Sequence, residues 1–139
     1  MASLWGGALT MDAQTVARYS LAGIRLVNGV AALLAPRLVA RRLGADPSRP
    51  ALVYVLRMFG VRTVVIGIEL LLPKDPEQLE RSLRTGTFIH ASDALSAACA
   101  GCEGLLSARA ATAATAISTV NTALALVARG QAHGRSTAC

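Results

Sequence analysis

Two arginines lie inside the longest apolar stretch of this chain, residues 51–72, at Arg57 and Arg62, and Glu69 follows seven residues after the second. A charge in a segment long enough to cross a bilayer is costly, so such groups turn toward protein or enclosed water and pair with one another. One segment further on, His90 and Asp93 stand one helical turn apart. On a shared helix face beside a pocket, that pair can serve as general acid and base. If the two segments form an antiparallel hairpin, Arg62 and Asp93 fall at similar depth and make a salt bridge. Arg57 and Arg62 then hold negative charge for an enzyme of the isomerase or cyclase kind, acting on a lipophilic substrate. The competing role for the same groups is structural, an internal ion pair that fixes helix register. Arg25 and Asn28, with Gly29 and Ala32, give the first apolar segment a similar polar and small-residue stripe. The expected site therefore has His90 and Asp93 as its catalytic pair and Arg25, Asn28, Arg57, Arg62 and Glu69 as its ligand-binding groups.

Cys99 and Cys102 form a Cys-x-x-Cys, which can cycle between dithiol and disulfide or take a soft metal. Redox pairs of this kind rely on a helix N-terminus to stabilise the thiolate, whereas this one falls well inside a helical pattern. Two buried cysteines acting as small apolar residues are the alternative. Cys139 is a lone thiol at the tail. The chain has no glycine-rich phosphate loop, no His-x-x-x-His or Glu-x-x-His metal pair and no nucleophilic-serine signature. No metal site or cofactor is expected beyond that cysteine pair, and ATPase or metalloprotease chemistry is excluded.

Four helical segments must position these groups. The first runs over about 12–35 and stops at Pro36, whose missing amide hydrogen breaks the ladder. An arginine-rich linker leads to the second, 51–72, which ends at Pro73. Asp75 then caps the third, with Pro76 at its first position and Gln78 placed for a capping box. Residues 76–84 are charged, with Leu79 and Leu83 on one side, as in a helix at a membrane interface. Residues 87–107 are mostly small and apolar, and a turn at 107–109 opens the fourth segment, 110–128, which carries no charge. Glycines at 60 and 67, Ala97 with Gly101, and a stripe of Ala111, Thr115, Thr119 and Thr122 favour close helix packing.

Composition leans toward lipid. Apolar residues make up 53% and charged residues 16%, against a usual charged share of about 25%, and mean hydropathy is +0.48. In 51–72, thirteen Leu, Ile, Val and Phe residues favour insertion by roughly 4 to 8 kcal/mol, against about 3 for a central arginine. Residues 87–107 are roughly neutral alone on the same scale and need a partner helix. Net charge is +6, but three arginines sit in apolar segments and no aromatic stacking platform exists, so nucleic acid is excluded as a partner. Arg37, Arg41, Arg42 and Arg49 instead form a basic loop against anionic headgroups, on the cytoplasmic side.

A first segment ending Leu-Leu-Ala-Pro-Arg-Leu-Val-Ala-Arg-Arg-Leu-Gly, then Arg-Met-Phe-Gly-Val-Arg, then His90-Ala91-Ser92-Asp93-Ala94, resembles a family of short actinobacterial membrane proteins of unknown function, over roughly 17–128. The resemblance implies a four-helix hydrophobic architecture, with an arginine pair opposed to acidic residues on the third helix. Arg57, Arg62 and Asp93 match that pattern, and His90 stands where an acid is common.

The expectation is an all-α, four-helix transmembrane bundle, multi-pass in the cell membrane. Residues 1–10 form a disordered extension, with Met1 or Met11 as the start and no secretory signal. Residues 11–130 make the membrane domain and 131–139 a flexible tail. Its interior Arg, Asp and His cluster binds a lipid, a small polar ligand or a partner helix, as in an accessory subunit. An acid-base enzyme on a lipophilic substrate and a soluble dimerising bundle are the alternatives. Membrane lipids, a lipophilic small molecule, and a homo-oligomer or larger membrane complex are the expected partners.

Overall fold

Helices account for most of the residues described by the computed structural model, 13–72 and 74–136, with side chains described through Arg129. In order they are α1 (Ala13–Leu34), α2 (Pro36–Arg42), α3 (Pro50–Leu71), α4 (Pro76–Cys102) and α5 (Ala108–Ser136), with no strand among the described residues. The expected extension at 1–10 and Cys139 lie outside the described residues. α5 continues to Ser136, into the segment read as a tail.

Among the described residues, five helices replace the expected four because Pro36 starts a helix as well as ending one. Proline is compatible with the first turn, where its missing N–H is not needed, and α2 runs from it at 108° to α1. The basic residues Arg37, Arg41 and Arg42 thus sit on a helix rather than a loop. α2 and α4 end alike. Gly44 and Gly104, both at φ 72°, let Ala45 N–H reach Ala40 O and Leu105 N–H reach Ala100 O at 2.9 Å, closures that need a left-handed residue. Beyond α2, Asp46 Oδ1 accepts from the Ser48 hydroxyl at 2.6 Å and the Ser48 amide at 2.9 Å. Those bonds hold its carboxyl below the usual range. Asp75 caps α4 as expected, accepting from Gln78 N–H at 2.8 Å.

The four long helices surround a shared interior in the order α3, α1, α5, α4, each packed on the next. The expected hairpin of α3 on α4 does not form: those two leave an open seam. Backbone proximity explains the choice of neighbours. A Cβ on Gly60 would lie 2.7 Å from Gly29 O and 2.6 Å from Leu33 N, so α1 and α3 cross backbone to backbone. A Cβ on Gly101 would meet Ala111 Cβ at 2.5 Å, which seats α4 on α5 just as closely. At the other end, Arg18 donates to Leu70 O at 2.6 Å and Leu72 O at 2.7 Å, capping α3 with a cation where its dipole is negative. Arg129 holds Glu80 Oε1 from Nε and Nη2 at 2.9 and 2.8 Å, tying α5 to α4.

Side-chain size is distributed inside out. The core is mainly alanine, at 17, 22, 32, 40, 110, 111, 125 and 128, and its only fully buried large side chains among the described residues are Leu21 and Leu83. Large apolar residues cover the exterior instead, from Val27 and Leu34 on α1 through Tyr54, Phe59 and Ile68 on α3 to Phe88, Leu95 and Val120. A water-soluble monomer rarely exposes apolar surface on this scale. Two helices, Pro50–Leu71 and Ala108–Arg129, are long and apolar enough to cross a membrane, and α1 with α2 adds a third if the bent pair counts as one span. Carbonate extraction of isolated membranes should therefore leave the protein in the pellet, and recovery in the supernatant would count against membrane association. Gly60→Val should cost about 1–3 kcal/mol or more by overpacking the α1–α3 crossing. Thermal melting followed by circular dichroism measures this, and an unchanged midpoint would mean that the helices do not meet there.

Candidate functional site

Arg25 is the most deeply buried charge on the described chain, at 3% exposure. It occupies the inner face of α1 one turn from Gly29, where α3 crosses, and one turn from Leu21, which belongs to the alanine-rich core shared with α4 and α5. Its Nη2 donates to His90 Nε2 on α4. A guanidinium only donates, so Nε2 must be the acceptor and the neutral ring carries its proton on Nδ1. His90 itself is 5% exposed. Arg25 Nε has no hydrogen-bond partner, and no carboxylate lies within ion-pair distance of this guanidinium among the described residues.

A cavity of about 120 Å³ opens beside this pair, walled by all four long helices. α1 contributes Arg25 and Asn28, α3 Arg62 and Thr63, α4 His90 and Asp93, and α5 Ser118 and Asn121, with Phe59, Ile66, Ile89 and Ile117 between them. The space suits several waters or one small polar group. Asn121 is 5% exposed and its Oδ1 lacks a partner. A second cleft, of about 270 Å³, continues along the α3–α4 seam and shares Arg25, Ile66 and Ile89 with the first. Glu69, Arg81 and Thr85 stand on its walls.

The expected site residues separate into three groups. Arg25, Asn28, Arg62, His90 and Asp93 do converge on one cavity. Arg57 does not: it is exposed and lines neither this cavity nor the seam cleft. Glu69 lies in the seam, where its ion pair is with Lys74 at 3.8 Å. The expected Arg62–Asp93 salt bridge is absent among the described residues, and both side chains are exposed. The reason is the seam, since α3 packs on α1 and α4 on α5 rather than on each other. The buried partner of His90 is Arg25, on a helix that the hairpin expectation left out.

Cys99 and Cys102 are exposed free thiols, and Cys102 closes α4 instead of lying deep within it, so the expectation of two buried cysteines does not hold. No metal-holding cluster of His, Cys, Asp and Glu occurs among the described residues. The expected threonine stripe also changes role. Thr119 and Thr122 return their hydroxyls to Thr115 O and Ser118 O, both at 2.8 Å, and the buried face of α5 is Ala110, Ala111, Asn121, Ala125 and Ala128 instead. Asn121 is the residue that sequence reading missed. Its signal was available: it is the lone amide in the uncharged stretch 110–128, and an isolated polar group in such a segment turns inward.

Compared with known proteins, the chain matches no protein family, and neither a curated protein nor a solved structure is detectably similar to it.

The two polar contacts on α4 should differ in their energetic weight. His90→Leu removes the acceptor of a buried guanidinium and should cost about 1–3 kcal/mol. Asp93→Asn, on an exposed side chain without a bonded partner, should stay within about 0.5 kcal/mol. Denaturant unfolding in detergent compares the two, and an equal loss from both would show that the carboxylate sustains Arg25 as much as the imidazole does.

Proposed function

We propose that this chain is a multi-pass membrane protein that binds a small anionic group in the polar cavity between its long helices. One observation carries the reading: among the described residues the Arg25 guanidinium is buried against a neutral imidazole with no carboxylate within ion-pair distance, Asp93 acts on it only across the cavity, and Arg62 faces the same space. Burying a charge without a partner is expensive. An anion beside Arg25 and Arg62 supplies the missing charge and accepts charge-assisted hydrogen bonds, including one from the free Nε. Thr63, Ser118 and Asn121 add neutral polar contacts around it.

Membrane placement follows from the exterior. α3 and α5 cross on their own hydrophobicity, while α1 and α4 cross as their packed partners. α2 turns off α1 at 108° and lies along the interface, with Arg37, Arg41 and Arg42 toward anionic headgroups on the cytoplasmic side.

A second reading has its own observation. His90 and Asp93 line the same cavity, so a bound lipophilic substrate would meet an imidazole and a carboxylate one turn apart, the arrangement an acid-base enzyme needs.

Thermal melting with added inorganic phosphate tests the anion site. A ligand at a hundred times its dissociation constant stabilises the folded state by about 2.7 kcal/mol. Arg62→Gln, at an exposed position that tolerates exchange, should weaken phosphate binding about tenfold or more through loss of a charged hydrogen bond. Asp93→Asn should tighten it, by roughly fivefold, because a repelling charge leaves the cavity wall. Phosphate without effect on either wild type or Asp93→Asn would sink the anion site. An activity that Asp93→Asn abolishes while phosphate still binds would favour the enzyme.

A further inference from the structure

The anion site adjoins an apolar groove on the far side of the α1–α5 contact. The groove measures about 530 Å³ and is lined by Gly23, Ile24 and Val27 of α1 and Ala116, Ile117 and Val120 of α5. Asn28 and Asn121 complete its wall, and no charged side chain lines it. Asn28, Ile117 and Asn121 also line the cavity that holds Arg25 and Arg62. Two chemistries thus meet at a pair of amides, guanidinium groups on one side and hydrocarbon on the other. Its size falls in the usual range for small-molecule sites, about 300–1,000 Å³, which pair apolar walls with a few polar groups.

We infer that the ligand is an amphiphile: a phosphate or carboxylate headgroup at Arg25 and Arg62, with an alkyl chain lying between α1 and α5. This rests on the anion-binding reading and adds the class of molecule that carries the anion. Three observations favour it. The groove and the charged cavity share Asn28, Ile117 and Asn121 as a common wall, and the charge of that cavity complements an anionic headgroup. The depth of the groove comes from Gly23, where an added Cβ would meet nothing within 4 Å. Asn121, with its Oδ1 unpartnered, stands at the junction, where a headgroup hydroxyl or amide would donate to it. A free inorganic anion satisfies the arginines equally well but leaves the groove unused, so the two sources of the same headgroup chemistry are distinguishable.

Gly23→Leu provides the separating variant. Its Cβ enters open space at the groove, and it replaces a poor helix former by a good one, so the fold tolerates it. The full chain in a neutral detergent is titrated with dodecyl phosphate and, separately, with inorganic phosphate, and binding is read by native mass spectrometry. Wild type should prefer dodecyl phosphate by about tenfold or more, the effect of burying as few as two methylenes. Gly23→Leu should remove most of that preference while leaving inorganic phosphate binding unchanged, and Arg62→Gln should weaken both ligands. If Gly23→Leu keeps the full preference, the alkyl chain does not lie in this groove and the inference is overturned. If inorganic phosphate binds wild type as tightly as dodecyl phosphate does, the amphiphile fails and the anion site stands. If neither ligand binds, both readings fall together.

Discussion

A guanidinium held out of water, with an imidazole as its bonded partner, constrains everything else in this molecule. Arg25 reaches His90 because α1, packed on both α3 and α5, turns this face toward the interior that α4 also borders. That position in turn needs the glycine crossing at Gly29 and Gly60, which brings α1 and α3 into backbone contact. With α4 anchored on α5 through Gly101 and the Glu80–Arg129 ion pair, His90 is carried to the right depth. A neutral partner can accept one hydrogen bond but cannot balance a charge. The cavity beside Arg25 is where that imbalance is expressed.

The alanine interior and the large-residue exterior belong to the same design. Small side chains let helices approach closely enough for backbone and short side chains to make the contacts, which is how helices associate when the surroundings are as apolar as a leucine side chain. Bulk placed outside suits contact with hydrocarbon better than with water. The short basic helix α2, turned sharply away from α1, marks where that apolar exterior gives way to charge. The open α3–α4 seam follows from the packing order. Neither helix of that pair offers the other a glycine contact, whereas α3 has one with α1 and α4 has one with α5.

Within the candidate site, the residues that belong together were legible and their partners were not. Arginine, histidine and aspartate inside apolar stretches announce an interior polar cluster by cost alone, and Arg25, Asn28, Arg62, His90 and Asp93 do share one cavity. Segments adjacent in the chain are not adjacent helices here: α3 packs on α1 and α4 on α5. The ion pair expected between Arg62 and Asp93 assumes a hairpin, but their helices are held apart, so the polar contact falls to Arg25 and His90 on helices 1 and 4 of the chain. Arg57 was grouped with Arg62 by sequence spacing, although five residues is one and a half turns and sets them on different faces.

The sequence by itself determined the helical class, the two strongest apolar spans, the Asp75 cap and the use of glycine for close contact. Each is a local matter, written in periodicity, capping residues and side-chain size over a few turns. It did not determine which helix lies beside which, the helix that Pro36 begins, or the exposure of Cys99 and Cys102. Those depend on how backbones separated by tens of residues compete for the same neighbour. Tertiary packing decided that Arg25, not Arg62, is the buried cation, because burial is settled by what surrounds a helix on every side and no single segment encodes its surroundings.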